Sequence, residues 1–261
     1  MNQKYIKILV LAGILSIACT TRVSEWVLLN SLPNQYTLVC FHSGPVTENL
    51  KKQNTAITES IKNANIQFRS VTREDVKTPW YGLYYEDRLF SRYEDPLVLK
   101  DLTSSPLRRK VASELMAGKL CVLVYLKTDN KEKDDKGLNI LKKTLFVSPF
   151  SEIIEVVEIS RNTREEAHFA SLLLNVEDDL DRIQEPMLFG IFGRFKALEP
   201  LLGNGITEEN INLMIDYLTA ECSCLIKDDL PGTDILFTAD WDNPQPALLN
   251  KIIDASPLLG N

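Results

Sequence analysis

Apolar residues in this chain fall in short runs, separated by polar stretches of helical length. Tyr36-Thr37-Leu38-Val39-Cys40-Phe41 is an apolar run of strand length. Thr47 to Ala64 is polar but carries Leu50, Ile57 and Ile61 at helical spacing, which predicts a helix with one apolar stripe. Ile66 to Val71 alternates in the manner of a second strand. After Thr78-Pro79, Trp80 to Tyr85 and Arg88 to Tyr93 read as a hairpin about the turn Glu86-Asp87. Ser105 then caps a helix with Pro106 at its first position; the helix reaches Ala117, and Gly118 closes it.

The order repeats. Leu120 to Leu126 predicts a strand, Lys127 to Lys136 a charged loop, Gly137 to Leu145 a helix and Glu152 to Ile159 a strand. Thr163 to Asn175 predicts a helix whose opening Thr163-Arg164-Glu165-Glu166 fits a capping box. After Glu185-Pro186, Met187 to Phe192 reads as a strand, Gly193-Arg194 as a turn and Phe195 to Leu202 as the returning strand. Gly203-Asn204-Gly205 breaks the chain, and Thr207 caps a helix to Ala220. Each half therefore runs strand, helix, strand, X-Pro, strand, turn, strand, helix. The period of about 100 residues marks duplicated domains rather than a solenoid. Alternating helices and strands predict parallel pairing early in each half, and the tight turn predicts an antiparallel hairpin. Asp234 to Trp241 reads as one more strand, and Pro246 to Ile253 as a short amphipathic helix.

Composition narrows the class. The 261 residues carry a formal charge of −7, are 44% hydrophobic and 25% charged. Those are globular values, which exclude a disordered, collagen-like or multispan chain. An acidic chain without a basic stripe excludes nucleic acid as the main partner.

The start of the chain reads as an address. Lys4 and Lys7 precede the apolar run Ile8 to Ile17, which is shorter than the ~20 residues of a membrane span. The run ends in Leu15-Ser16-Ile17-Ala18-Cys19, which resembles a bacterial lipoprotein signal, although Ser16 stands where that motif usually has Leu. The resemblance implies a signal peptide over 1–18 and a lipid on Cys19 as the membrane anchor. Loss of Lys4 and Lys7 would leave the mature chain still more acidic, with little attraction to anionic headgroups.

Five cysteines are too few for a disulfide scaffold at this length. Cys40 and Cys121 lie in apolar strands and read as buried, inert residues. Cys222-Ser223-Cys224 leaves three readings open: a structural or weakly redox-active disulfide, a dithiol holding a soft metal such as Cu(I) or Zn, or free thiols. It is not a complete zinc site, which needs four ligands. A place after a helix also opposes thiolate formation. Among other candidates, His42 beside Ser43 reads as a surface turn histidine, since a Ser–His hydrolase needs base geometry and an orienting acid that adjacent residues rarely supply. His168 reads as a solvated helix residue. Arg108-Arg109-Lys110, in the first turn of a helix, reads as a solvated face or the seat of a carboxylate partner. The acids Asp228, Asp229, Asp234, Asp240 and Asp242 do not match a calcium loop, and no phosphate loop, dinucleotide fingerprint or metalloprotease motif is present.

A βαβ unit, a proline, a hairpin and a closing helix resemble the thioredoxin fold over roughly residues 30–222. The resemblance implies cis-prolines at Pro79 and Pro186. It also makes His42-Ser43-Gly44-Pro45-Val46 look like an active-site turn whose two thiols are lost; the bland alternative is a simple turn. Thioredoxin chemistry needs thiols at this turn, where a helix N-terminus lowers their pKa. The corresponding turn of the second half, Lys127 to Lys136, has no cysteine. The stretches Ser105-Pro106-Leu107-Arg108-Arg109, Glu185-Pro186-Met187, Phe192-Gly193-Arg194, Cys222-Ser223-Cys224 and Ala239-Asp240-Trp241 resemble a family of bacterial envelope lipoproteins, which implies no particular activity.

The expected architecture is α/β: signal peptide 1–18, linker 19–30, thioredoxin-like domains 31–118 and 119–224, and an extension 225–261. The expected function is a noncatalytic binding or scaffold lipoprotein of the cell envelope, facing the periplasm or the cell exterior. It would have no cofactor and a protein or peptide partner. The alternative is thiol–disulfide or soft-metal handling through Cys222 and Cys224.

Overall fold

A computed structural model of the chain describes residues 21–221, 230–241 and 248. The signal segment, Cys19, Cys222, Cys224 and nearly all of the expected helix 246–253 lie outside the described residues. The described elements are helix α1 (Val23–Asn30), β1 (Tyr36–His42), α2 (Glu48–Ser60), β2 (Ile66–Thr72), β3 (Trp80–Tyr85), β4 (Arg88–Tyr93) and α3 (Pro106–Met116). Then come β5 (Cys121–Lys127), α4 (Lys131–Val147), β6 (Ile154–Ser160), α5 (Ala167–Leu173), β7 (Met187–Phe192), β8 (Lys196–Ala197), β9 (Leu201–Leu202), α6 (Glu208–Thr219) and β10 (Thr233–Asp234).

They build two mixed sheets. The first has the order β2-β1-β3-β4 and the second β10-β8-β7-β5-β6, with β9 pairing β7. In each half the first two strands are parallel, the third joins the first antiparallel, and the fourth turns back on the third. The registers match as well: Tyr36 pairs Ile66 and Phe41 pairs Trp80, while Cys121 pairs Ile154 and Leu126 pairs Met187. This strand order is thioredoxin-like.

The sheets differ in how they are covered. Cys121, Leu123 and Tyr125 of β5 face α1, α4 and α6 in one apolar cluster. Val122, Val124 and Leu126 face the other way, into a cluster with Phe169 and Leu173 of α5. That cluster also holds Leu38 and Cys40 of β1, Leu50 and Ile57 of α2 and Val111 and Leu115 of α3, so one core fills the space between the sheets. Among the described residues, the second sheet is thus covered on both faces and the first on one.

Several expectations are corrected. The linker 19–30 contains a helix: Val23 and Val27 are buried against the second sheet's cluster, and the Ser24 hydroxyl donates to Leu218 O at 2.6 Å. The charged loop is largely helix, since α4 starts at Lys131. Asn130 caps it, accepting from Lys133 N at 3.2 Å, and Glu132 and Asp134 suit the helix dipole. Strand β6 begins two residues later than expected, after a 3-10 turn at Ser151–Ile153. The capping box at Thr163 does not form; a 3-10 turn leads into α5 because Glu166 is used elsewhere. The strand Phe195–Leu202 is split: Phe195 adopts φ +72° and Pro200 supplies no N–H for a ladder. Of Asp234–Trp241 only the first residue pairs as strand, in β10 with Thr233.

Both X-Pro bonds, before Pro79 and before Pro186, are trans, and no cis peptide bond occurs among the described residues. Trans is the lower-energy isomer by about 0.5–1 kcal/mol when nothing enforces cis.

Residues 233–241 belong to neither half alone. β10 joins the second sheet, Ile235 N–H donates to Phe195 O at 3.0 Å, and Phe237 stacks on Phe195 at 4.4 Å. The same segment takes Ala239 N–H to Asn63 O at 3.0 Å and Phe237 N–H to Asn65 Oδ1 at 3.1 Å in the first half.

Candidate functional site

The carboxyl ends of the parallel strand pairs are where α/β sheets hold ligands, and a cleft lies at that end of each half. In the first half, β1 ends at His42 and the turn Ser43–Val46 leads to α2, capped by Thr47, whose Oγ1 accepts from Leu50 N at 3.3 Å. Gly44 sits at φ +62°, where a residue without Cβ is favoured. His42 is not the surface histidine its place in a turn suggests: its side chain is buried under the turn, and its Nδ1 lies 3.2 Å from Gly44 O, so that nitrogen donates. The imidazole thus holds the turn closed. Ser43, Gly44 and Pro45 are exposed, and no thiol stands in the turn.

Arg73 N–H donates to His42 O at 2.8 Å and joins this turn to a cleft of about 520 Å³. The cleft is lined by residues 73 and 75–80 together with Arg92 and Glu94. Trp80 in its wall belongs to an aromatic stack that continues beyond the cleft: Phe41 and Trp80 lie 4.3 Å apart at 24°, and Tyr84 meets Phe41 edge-on at 6.4 Å. Arg92 covers Trp80 at 4.5 Å and Arg73 covers Phe41 at 5.8 Å. Each guanidinium also holds a neighbouring carboxylate, Arg73 with Asp75 at 2.6 Å and Arg92 with Glu94 at 3.1 Å. The Arg73 partner holds the exposed Asp75 carboxyl below its ordinary range.

In the second half the corresponding turn is Thr128-Asp129-Asn130. Asp134 is buried beneath it and accepts from Thr128 N at 2.9 Å, Thr128 Oγ1 at 3.0 Å and Asp129 N at 3.1 Å. The cleft beside it, about 440 Å³, is lined by Asn130, Lys133, Lys136, Glu185, Pro186 and Asn204 among others. Lys133 pairs with Glu185 at 2.5 Å, and Lys136 donates to Asn204 Oδ1 at 3.1 Å. Arg161 donates to Glu185 O at 3.0 Å. Pro79 and Pro186 each line the cleft of their half, with trans bonds before them. The charged rims of both clefts escape the sequence reading, because their members are scattered along the chain.

Neither described cysteine lines either cleft. Cys40 and Cys121 are buried and unpaired. Burial raises the Cys40 thiol above its ordinary value and pushes Cys121 up to about 12, so neither forms a thiolate near neutrality. No group of three or more His, Cys, Asp or Glu among the described residues is placed to hold a metal, and no described helix is long and apolar enough to cross a membrane.

Arg108 and His168 correct their solvated readings. Arg108 is 1% exposed, and its guanidinium donates to Leu102 O at 2.6 Å and Asp101 O at 2.5 Å. Burial brings its pKa down to about 10. Glu166, also buried, accepts from the Ser105 hydroxyl and from Leu107 N at 2.8 Å. His168 is half-buried and meets Tyr93 edge-on at 5.8 Å, and burial lowers its pKa.

A scan of known protein families finds no match to this chain, and a comparison with curated proteins finds none. Among solved structures the chain is similar to one titled "Crystal structure of ERdj5 form II", at 12% identity and a TM-score of 0.27. That similarity covers 80% of this chain and 31% of the other, so the chain spans about a third of the structure it matches. The thioredoxin-like assignment rests on strand order and register, not on this likeness.

Proposed function

We propose that the chain is a noncatalytic binding module of thioredoxin-like fold, held in the bacterial cell envelope by a lipid on Cys19. The observation that carries the reading is the pairing of two open clefts with two turns that hold no thiol. Ser43 stands where a nucleophilic cysteine would need to be, and Asp134 ties down the equivalent turn of the second half. A Ser hydroxyl cannot exchange with a disulfide, and the buried Cys40 and Cys121 are protonated at neutral pH. What such clefts retain is shape, aromatic surface and charged rims for a protein or peptide partner.

The test is thiol–disulfide exchange of the full chain against insulin, with intact mass and a metal count on the same sample. The expected result is no exchange above the buffer rate, a lipid mass on Cys19 and no bound soft metal. After alkylation in the native state, Cys40 and Cys121 stay unlabelled and become reactive only in urea. Exchange that disappears in Cys222→Ser or Cys224→Ser, or Cu(I) or Zn retained by that pair, would replace this reading with thiol or metal handling.

A further inference from the structure

The two halves share the register of their first three strands, so each residue of β1, β2 and β3 has a counterpart in β5, β6 and β7. Val39 corresponds to Val124, Phe41 to Leu126, Trp80 to Met187 and Tyr84 to Ile191. In the second half this face is fully buried: Val124, Leu126, Met187 and Ile191 are all 0% exposed, in the cluster that holds Phe169 and Leu173 of α5 together with Val111 and Leu115 of α3. The segment that supplies α5 lies between β6 and β7 and runs over residues 161–186. In the first half the matching connection is residues 73–79 and contains no helix. Among the described residues only Val76 of that connection packs on Val39 and Phe41. Trp80 and Tyr84 stay partly open, and Val71 and Leu89, which flank them on the outer strands, are 38% and 45% exposed.

This face is also charged in a definite sense. No acidic residue occupies its outward positions in β1–β4, which carry Arg69 and Arg92, and Arg73 follows at the end of β2. The acids that reach Arg73 and Arg92 are Asp75 and Glu94, in the bordering loops. All four side chains are about half exposed or more, and such pairs hold by only about 0–1 kcal/mol. Their guanidiniums can therefore turn to another carboxylate at little cost. In a chain of charge −7 this is a locally basic apolar surface.

We propose that this outer face docks one amphipathic helix of a partner protein, in the place that α5 occupies in the second half. Its apolar stripe lies on Phe41, Trp80, Tyr84, Val71 and Leu89. Aspartates and glutamates on its flanks meet Arg69, Arg73 and Arg92. The inference deepens the binding-module reading by naming the surface and the chemistry of the partner. A short helix suffices, since the internal counterpart Ala167–Leu173 has seven residues.

The test places a photo-reactive benzophenone side chain at Leu89, and separately at Val71, in the full chain within the cells that make it. Leu213, exposed on α6 at 61%, is the control position. Illumination and mass spectrometry then identify the cross-linked peptide. The expected result is that both positions reach one segment of another protein with apolar residues at helical spacing and acidic flanks. A synthetic peptide of that segment gains helical circular dichroism on binding the purified protein. Arg69→Glu with Arg92→Glu weakens it at least about tenfold. Val71→Asp, at the exposed edge, gives a comparable loss without disturbing the aromatic stack. Cross-links to this chain itself, to a second copy, to lipid or to an extended segment, or none above the Leu213 control, would overturn the helix proposal. Those outcomes leave the noncatalytic reading standing, since that reading falls only to exchange or metal binding at Cys222 and Cys224.

Discussion

The Ser105 hydroxyl donates to the buried carboxylate of Glu166, 61 residues further along the chain. Ser105 is the N-cap of α3, and its oxygen also accepts from Arg108 N at 3.3 Å and Arg108 Nε at 3.2 Å. Glu166 Oε1 takes the Leu107 N–H as well. One carboxylate from the second half thus completes the cap of a first-half helix and sets a negative charge near the buried Arg108 guanidinium. That favours α3 through its dipole and fixes α3 against α5.

Glu166→Gln keeps the shape of this contact and removes its charge, and should cost about 1–3 kcal/mol. Glu166→Ala should cost more, because it also leaves the part-buried first-turn N–H of Leu107 without this acceptor. Urea unfolding of the two variants checks the order; an Ala variant as stable as wild type would show that the contact contributes nothing.

Stability should fall on mild acidification through His168. Burial, and to a smaller extent Arg108, lowers its folded-state pKa below the unfolded value of about 6.5. The unfolded chain then binds the proton more readily. The contribution is intact above about pH 6.5 and is lost as pH falls through the depressed folded value. His168→Gln should flatten this part of the pH–stability curve while leaving the steeper loss at lower pH, to which Glu158 contributes because Lys142 and Lys127 lower its pKa. Thermal unfolding between pH 5 and 8 is the measurement, and an unchanged slope in the variant would exclude His168.

Lys196 and Asp234 form an ion pair at 3.1 Å with side chains 11% and 6% exposed, joining β8 to β10. Asp234 also accepts from Asn34 N at 3.1 Å. Asp234→Ala leaves the ammonium buried without a counterion and should cost about 3–5 kcal/mol. Lys196→Met combined with Asp234→Leu should recover most of that loss, because it removes both charges. Non-additivity in a double-mutant cycle is the readout.

Gly193 stands at φ +58°, and a Cβ there would lie 2.4 Å from Val27 Cγ1 of α1. Gly193→Ala should therefore cost about 1–2 kcal/mol for the left-handed backbone, with overpacking against α1 in addition. Val27→Ala made in the same chain should relieve the second part only. Proteolysis of the α1 segment in the single variant, reduced in the double, separates the two effects.

The strands, the hairpins and the helix caps at Ser105 and Thr207 were legible because each follows from neighbours in sequence. Alternation marks a strand, and Ser or Thr before a polar first turn marks a helix start. The thiol-free turns at Ser43 and Thr128 were legible for the same reason, since a missing cysteine shows in one line of residues. Three readings failed where a local rule met a distant partner. Thr163-Arg164-Glu165-Glu166 has the letters of a capping box, but Glu166 gains more from two donors on α3. Residues 23–30 read as a linker until Val23 and Val27 find the second sheet's core. Arg108 reads as a solvated cation or the seat of a carboxylate partner; its burial, enclosed by Asp101 O and Leu102 O with Glu166 nearby, shows only in the fold.

By itself, then, the sequence determines the order of most elements and the absence of thiols at the turns where thioredoxin chemistry would need them. These are properties of hydrogen-bonding period and residue identity along the chain. Only the tertiary structure decides that, among the described residues, the second sheet is covered on both faces and the first on one. Coverage depends on which apolar stripe meets which sheet, and that is a matter of packing between residues far apart in sequence. The same holds for the stack of Arg92, Trp80, Phe41 and Arg73, drawn from four places in the chain, which becomes a surface only when β1, β3 and β4 lie side by side.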